Sequence, residues 1–150
     1  TYQMVLRFYQ RFGSRVSILH SRMSAGERYD QYEKAKNGEI DIMIGPRSAL
    51  FTPFSNLGII IIDEEHEESY KSETVPRYHA RETAQRRAEM EGAKLILGSA
   101  TPSVESYYRA EKGEYCLSLL VADRFAPENI PPLSRDFHDQ QTYYVEFQIQ

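Results

Sequence analysis

The sequence has little cysteine, no long apolar run and no excess of positive charge. Its single cysteine, Cys116, excludes an internal disulfide and a cysteine-based zinc site within these 150 residues. No apolar stretch approaches the length of a membrane span, which predicts a soluble protein, and the low thiol content is typical of the cytoplasm. The net charge of −4 argues against nucleic-acid binding through bulk positive charge, so any such site must be local.

The phosphate-binding pattern Gly-x-x-x-x-Gly-Lys-Ser/Thr is also missing from all 150 residues. A nucleotide site formed from this sequence alone would therefore lack the loop whose backbone amides hold the phosphates. There is no signal peptide, and the sequence begins with Thr1 instead of methionine. From this we expect that residue 1 is not the natural start of the protein.

Segments typical of helices and strands alternate along residues 1–120. A composition of 41% apolar and 27% charged residues predicts one globular domain. Helices are predicted up to Gly13, from a Ser24 capping box to Lys36, at 79–91 and at 102–112, and strands at 15–20, 40–44, 57–62, 94–97 and 115–120. The alternation indicates a doubly wound α/β fold with a parallel sheet. Residues 121–150 are interpreted as linker and tail, with a strand-like alternation at 143–149 that has no evident partner.

Four consecutive isoleucines at 59–62 lead directly into Asp-Glu-Glu-His at 63–66. Such a run predicts a strand buried on both faces of a parallel sheet, and ligands collect at the carboxyl ends of such strands. Acidic side chains there suit Mg²⁺, with Asp63 near the metal and Glu64 free to orient or deprotonate a water. The pattern is that of the Walker B motif of nucleotide-hydrolysing enzymes. The alternative is a buried strand followed by a solvated acidic turn.

Two other functions remain open at this point. In a metal-dependent hydrolase, all four side chains of residues 63–66 would be ligands, but neighbours on an extended strand point to opposite faces and do not easily converge on one ion. In a non-catalytic interaction module, the same residues would have no chemical role. These two functions are the alternatives to hydrolysis of a nucleotide with Mg²⁺, which is the chemistry that the Walker B pattern indicates.

A polar, aromatic and basic connection follows the acidic residues. It is too highly charged for the core and too long for a tight turn, which predicts a surface loop. Its rings and cations are Tyr70, Lys71, Arg77, Tyr78, His79 and Arg81. Rings interleaved with cations are typical of surfaces that stack exposed bases and hold phosphate. The alternative is that Tyr78 and His79 pack against the next helix while the charges are solvated.

Three motifs, in this order, resemble those of superfamily 2 helicases. They are Gly-Pro-Arg-Ser-Ala-Leu-Phe at 45–51, Asp-Glu-Glu-His at 63–66 and Gly-Ser-Ala-Thr-Pro at 98–102. Within that superfamily, residues 3–120 resemble the PriA family of replication-restart helicases, through segments at 20–22, 26–29, 37–42, 69–71, 76–81 and 95–102. The resemblance implies a partial RecA-like fold of the P-loop NTPase class, a first helicase lobe at 1–120 that lacks the P-loop strand.

The resemblance also implies a role for each matching residue. Asp63 would hold Mg²⁺ through the shell of ATP, and Glu64 would polarise the attacking water. His66, Ser99 and Thr101 would relay the nucleotide state to the DNA side, although Ser99 and Thr101 are also explained as helix-capping groups, with Pro102 in the first helical position. DNA-binding positions would be Arg47 and Ser48 on the backbone side, and Tyr70, Lys71, Arg77 and Tyr78 in the loop that senses single-stranded DNA.

The partners that the resemblance implies are those of a whole helicase. The cofactors are ATP and Mg²⁺, with zinc expected only in another part of the protein. The partners are single-stranded and forked DNA, primosome proteins and single-stranded DNA-binding protein, with no membrane. Because neither a P-loop nor a second lobe with arginine fingers is present, residues 1–150 alone are predicted to have no ATPase activity.

Overall fold

The computed structural model describes residues 2–121 and 143–149. The chain divides into two compact units, Thr1–Leu57 and Gly58–Gln150. Helices and strands alternate within each unit, which confirms the α/β class. The assignment of residues 1–120 to one lobe stays a prediction. Every helix in the described part of the chain is too short or too polar to cross a membrane.

The first unit contains two helices and a two-stranded parallel sheet. Its elements are helix α1 (Tyr2–Phe12), strand β1 (Val16–Ile18), helix α2 (Ala25–Lys36) and strand β2 (Ile42–Ile44), with short 3₁₀ helices at Gly13–Arg15 and Arg47–Phe51. Helix α2 begins at the predicted capping box, because the Ser24 side chain accepts from the Glu27 amide at 3.2 Å while the Ser24 amide donates to the Glu27 carboxylate at 2.7 Å. The Ser24 amide and the Ser24 hydroxyl, the latter at 2.9 Å, both donate to the Glu27 carboxylate and lower its pKa.

Gly45 lies at the point where the chain leaves β2 and passes closely over Leu19. A Cβ atom at position 45 would lie 2.9 Å from Leu19 Cβ, and 3.1 Å from both the Leu19 carbonyl oxygen and Ala49 Cβ. Real Cβ atoms essentially never approach another atom at the first of these distances. Glycine therefore sets the path of the chain into the 3₁₀ helix that contains Arg47 and Ser48.

The second unit is built on a four-stranded sheet with the order β3-β4-β6-β5. Its elements are β3 (Ile59–Ile62), α3 (Ala80–Glu91), β4 (Lys94–Ser99), α4 (Val104–Glu111), β5 (Tyr115–Val121) and β6 (Tyr143–Ile149), with a 3₁₀ helix at Glu68–Tyr70. Strands β3 and β4 are parallel, as predicted, whereas β6 is antiparallel to both of its neighbours. The sheet is therefore parallel at the acidic motif and mixed beyond it.

The pairing of β6 corrects the interpretation of residues 143–149 as an unpartnered tail. This strand lies between β4 and β5, with Ser99 opposite Val145 and Tyr115 opposite Ile149. Local alternation indicates a strand but does not identify its partners, which lie far away in sequence. Residues 122–142 lie outside the described residues, so the linker interpretation stays a prediction there.

Helix α3 packs against β3 and β4 through three alanines at i, i+4 and i+8. Ala80, Ala84 and Ala88 are all buried, which confirms the small-residue contact surface. The helix begins at His79, whose Nδ1 accepts from the Arg81 amide at 3.2 Å, and ends at Gly92, whose φ is 68°. Burial and the charge of Arg81 lower the pKa of His79, which favours the neutral ring that can accept this bond.

The prediction that the isoleucine strand is buried on both faces is wrong. Ile59 and Ile61 are 46% and 59% exposed, whereas Ile62 is buried. Successive strand residues point to opposite faces, and β3 is the last strand in the order of the described sheet. An unbroken apolar run therefore does not show that both faces of a strand are covered by other parts of the described chain.

Substitution of Gly45 by alanine tests the close approach to Leu19. We expect Gly45→Ala to lower the free energy of unfolding by roughly 1–3 kcal/mol, as overpacking does. Gly26→Ala in α2 is the matched control, because a Cβ there meets nothing within 4 Å, and it should be neutral or stabilising. Urea denaturation measures both variants, and equal midpoints for Gly45→Ala and the wild type would contradict the account.

Candidate functional site

The acidic motif and the Gly-Ser-Ala-Thr-Pro motif lie at the same edge of the second sheet. Strands β3 and β4 are parallel neighbours, with Ile62 opposite Leu97, so the residues that follow them emerge side by side. The Glu65 amide donates to the Gly98 carbonyl oxygen at 3.0 Å, which joins the acidic turn to the end of β4. Ligands bind at such carboxyl edges in open α/β sheets.

Asp63 and Glu64 present their carboxylates at this edge in a turn, not in an extended strand. The Glu64 amide donates to Asp63 Oδ1 at 3.1 Å. Glu64 has φ of 49°, in the left-handed region, which costs a non-glycine residue roughly 1–2 kcal/mol. Such conformations concentrate at functional sites, where the surroundings hold them. The Glu64 side chain is 47% exposed and accessible from solvent.

His66 lies between Glu64 and two hydroxyls, those of Ser99 at the end of β4 and of Thr101 just after it. Its Nδ1 is 2.6 Å from Ser99 Oγ and 3.6 Å from Glu64 Oε2, and its Nε2 is 3.3 Å from Thr101 Oγ1. Ser99 is buried and also accepts from the Thr101 amide at 3.0 Å. The structure thus brings together the three residues predicted to couple the nucleotide and DNA sides, although that role stays a prediction.

Glu65 points away from this edge into the protein, where its carboxylate accepts several hydrogen bonds. Its Oε2 accepts from Arg81 Nη1 at 3.0 Å, from Ser103 Oγ at 3.0 Å and from Ser106 Oγ at 2.9 Å. Its Oε1 accepts from the Ser103 amide at 2.6 Å. Arg81 also donates to Glu105 Oε2 at 2.5 Å. We call these five residues the Glu65 cluster.

The Glu65 cluster corrects three sequence-based interpretations. Arg81 is buried in the first turn of α3 and is not an exposed loop cation. Helix α4 is capped by Ser103, whose side chain accepts from the Ser106 amide, whereas Thr101 contacts His66. Glu65 is occupied by protein donors, and the described residues contain no group of three or more His, Cys, Asp or Glu side chains placed to hold a metal ion.

Sequence reasoning missed this cluster because its members are distant in the chain. Arg81, Ser103 and Ser106 are separated from Glu65 by 16, 38 and 41 residues. No fixed spacing links them, and Glu65 looks like one more acid in a charged run. The Ser-x-x-Ser spacing at 103–106 was a local signal for the cap, since serine is a favoured capping residue.

The connection after the acidic motif is an ordered loop with an exposed tip. Lys71 pairs with His79 in an isolated bridge, and the Ser72 amide donates to the Tyr78 carbonyl oxygen at 2.8 Å. Arg77 and Lys71 are exposed and Tyr78 is half-buried. The predicted DNA-binding side chains therefore lie in or next to residues 71–79, a short segment whose two ends are joined by these backbone contacts.

Tyr70 connects this loop to the acidic motif. Its hydroxyl donates to the Asp63 carbonyl oxygen at 2.5 Å, and its ring is partly buried. Burial raises the pKa of Tyr70, and the charges of Asp63, Glu64 and Glu67 raise it further, so the hydroxyl keeps its proton and remains a donor. The Tyr70 hydroxyl therefore links the loop to the backbone of Asp63.

Arg47 and Ser48 lie in the 3₁₀ helix of the first unit. Both are partly exposed, and the Ser48 carbonyl oxygen accepts from the Tyr32 hydroxyl at 3.4 Å. A guanidinium and a hydroxyl are groups that suit phosphate. Their predicted contact with the DNA backbone stays a prediction.

The carboxylates of Asp63 and Glu64 fit the chemistry of a magnesium–nucleotide complex. Mg²⁺ is usually bound by one or two carboxylates together with substrate phosphates and water. Asp63 is exposed and Glu64 is partly exposed, at an edge where such a complex can approach. The phosphate-binding pattern Gly-x-x-x-x-Gly-Lys-Ser/Thr does not occur in the 150 residues.

Comparison with known proteins agrees with this geometry. Residues 1–110 match the DEAD/DEAH box helicase family. The replication restart protein PriA of Bacillus subtilis is 55% identical over 131 residues, covering 85% of this chain and 16% of the relative. The PriA proteins of Synechocystis and Chlamydia pneumoniae are 52% identical over 113 residues and 49% over 121, covering 75% and 80% of this chain and 14% and 16% of the relatives.

The match is long on this chain and short on its relatives, since the chain spans about one-sixth of the length of the curated proteins that it resembles. The family match covers both the acidic motif and the residues that contact it after β4. The RecA-like α/β class expected from the motifs is in agreement with the parallel strand pairs of both units. This chain belongs to the DEAD/DEAH box helicase family.

Proposed function

We propose that this sequence supplies the hydrolysis and coupling motifs of an ATP-dependent DNA helicase that restarts replication. The observation that supports this most strongly is the position of the His66 ring, in contact with Ser99 and Thr101 and 3.6 Å from the Glu64 carboxylate. A helicase must link hydrolysis to DNA contact, and this histidine joins the acidic turn to Ser99 and Thr101, the residues that would relay the nucleotide state. Replication restart is the activity named for the PriA relatives.

In this proposal, hydrolysis requires the two exposed carboxylates at the end of β3. ATP with Mg²⁺ would supply the phosphoryl group and the cation that neutralises its charge. Asp63 would hold the metal through its hydration shell, and Glu64 would orient water and accept its proton. Because Glu65 lies in the core, it takes no part in this chemistry.

Coupling to DNA would use the contacts on both sides of the acidic turn. On one side, His66 contacts the residues that lead into α4. On the other, the Tyr70 hydroxyl holds the Asp63 carbonyl oxygen. We propose that bases stack on the rings of this loop while its cations, with Arg47 and Ser48, contact phosphate. Occupancy of the loop, formed by Tyr70, Lys71, Arg77 and Tyr78, would then set the rate of hydrolysis.

The finer assignments rest on the PriA resemblance. We propose single-stranded and forked DNA as substrates, primosome proteins and single-stranded DNA-binding protein as partners, and a cytoplasmic location. A structural zinc would belong to another part of the protein. Residues 1–150 alone should lack ATPase activity, since transition-state stabilisation needs the phosphate loop and the second lobe.

Substitution of Glu64 tests the proposed role in hydrolysis. In the full-length helicase, Glu64→Gln should lower kcat for ATP hydrolysis by about 100-fold or more while KM for ATP stays within about threefold, because only the water-activating base is lost. Steady-state ATPase assays with saturating single-stranded DNA measure both constants. Glu67→Gln, an exposed acid in the same turn, is the control and should leave them unchanged. A kcat of Glu64→Gln near that of the wild type would refute the assignment.

Substitutions at the loop test the coupling to DNA. Arg77→Ala and Tyr78→Ala, made in the full-length helicase, should preserve basal hydrolysis and reduce its stimulation by single-stranded DNA several-fold, because a base-stacking ring or a phosphate contact is lost. The measurement is the ATPase rate against DNA concentration, with Arg86→Ala on the exposed face of α3 as control. Unchanged stimulation in both variants would assign the loop to structure, and loss of basal hydrolysis would mean that it supports the fold of the site.

A further inference from the structure

Glu65 and Arg81 form a buried ion pair beside the proposed hydrolysis site. Their side chains are 0% and 9% exposed, and Arg81 Nη1 lies 3.0 Å from Glu65 Oε2. No buried side-chain nitrogen or oxygen in the described part of the chain lacks a hydrogen-bond partner, so the carboxylate and its donors form a satisfied network. Ionised groups are almost never placed in a core without such compensation.

The pair is directly connected to the residue proposed to activate water. Glu65 follows Glu64 in sequence, and both its backbone and its side chain are held, the backbone by the Gly98 carbonyl oxygen and the side chain by the Glu65 cluster. The residue that follows Glu64 in the chain is therefore held in place by both its backbone and its side chain. Its left-handed backbone, with φ of 49°, is a conformation that persists only when neighbours impose it.

The same cluster holds the start of helix α4. Ser103, the N-cap residue, donates both its amide and its hydroxyl to Glu65. Arg81 bonds to Glu105, which also accepts from Arg109 at 3.0 Å. The beginning of α4, which follows the segment in contact with His66, is thereby fixed to the acidic turn by the carboxylate of Glu65.

We propose that Glu65 and Arg81 are a positioning pair for hydrolysis. They hold the backbone of Glu64 in its left-handed conformation and set the distance between the acidic turn and α4, so that the Glu64 carboxylate stays oriented next to His66. Neither residue of the pair touches the reacting atoms. The inference rests on the proposed function only in that Glu64 must be the group that activates water.

A purely structural ion pair and a positioning pair differ in their kinetic signature. Loss of a structural pair lowers the melting temperature and the amount of folded enzyme but leaves kcat per folded molecule unchanged. Loss of a positioning pair lowers kcat while KM for ATP changes little, because Glu64 is still present but misoriented. Two residues that act as a unit also give non-additive effects when both are substituted.

The test uses the full-length helicase with saturating single-stranded DNA, at a temperature well below the measured melting temperature of each variant. Glu65→Gln keeps the shape of the side chain, and Arg81→Lys keeps the charge but cannot bridge Glu65 and Glu105 in the same way. We expect Glu65→Gln to lower kcat by about 10-fold to 100-fold, as outer-shell substitutions do, and Arg81→Lys to lower it several-fold, both with KM for ATP within about threefold.

A double variant and a control complete the test. The double variant Glu65→Gln/Arg81→Lys should be no slower than about the slower single variant. Arg86→Met is the matched control, since Arg86 is an exposed arginine of the same helix that pairs only with Glu89 at 3.4 Å among the contacts described for it. It should leave kcat, KM and the melting temperature unchanged.

The possible outcomes separate this inference from the proposed function. If Glu65→Gln and Arg81→Lys melt earlier but have the kcat of the wild type, the pair is structural and the inference is overturned. If Glu65→Gln does not fold, Arg81→Lys decides by the same kcat criterion. Glu64→Gln is measured in parallel. If Glu64→Gln is inactive and the pair variants have normal kcat, only the inference is overturned. If Glu64→Gln itself has normal kcat, the proposed function is overturned.

Discussion

The second unit depends on the burial of one charged group, the carboxylate of Glu65. An ion taken out of water must regain its hydration energy from protein donors, and removal of one member of a buried pair typically costs about 3–5 kcal/mol. Here the donors come from three places in the chain, the first turn of α3 and both the cap and the first turn of α4. The carboxylate therefore joins the turn after β3 to the starts of both helices, and the geometry at the carboxyl edge of the sheet depends on these contacts.

This constraint explains how four consecutive polar residues acquire different environments. Asp63 and Glu64 face solvent, Glu65 lies in the core, and His66 lies against Ser99. In an extended strand, the four side chains would have alternated between the two faces of the sheet. In this turn, only the Glu65 side chain points into the core, and the other three stay at the edge. The left-handed backbone of Glu64 lies at the change of direction and is held there by the fixed residue that follows it. The contacts of the buried acid thus fix the turn from which Asp63 and Glu64 reach solvent.

Much of the secondary structure could be predicted because it depends on residues that are close together in sequence. Capping residues, glycines after helices and short apolar runs located each α-helix and strand described up to residue 120 to within a few positions, but not the short 3₁₀ helices. The order of the motifs indicated the class of the site. The failures share a physical cause, which is that they depend on distant partners. The exposure of Ile61, the position of β6 between β4 and β5, and the burial of Arg81 against Glu65 are all decided by residues far away in sequence. Thr101 and Ser103 are both acceptable caps by type, and they are distinguished by their contacts with residues distant in sequence, His66 for Thr101 and Glu65 for Ser103.

The central claim, that one buried carboxylate holds the acidic turn and the start of α4 together, is tested most directly by amide hydrogen exchange. In the full-length helicase, the amides of Glu65 and Ser103, which donate to Gly98 and to Glu65, should both exchange slowly. In Glu65→Gln, both should exchange faster by a similar factor, while the Arg28 amide of helix α2, bonded to Ser24 at 3.1 Å, should keep its rate. Faster exchange at Ser103 with the Glu65 amide still protected would contradict the claim, because the turn would then be held without the carboxylate.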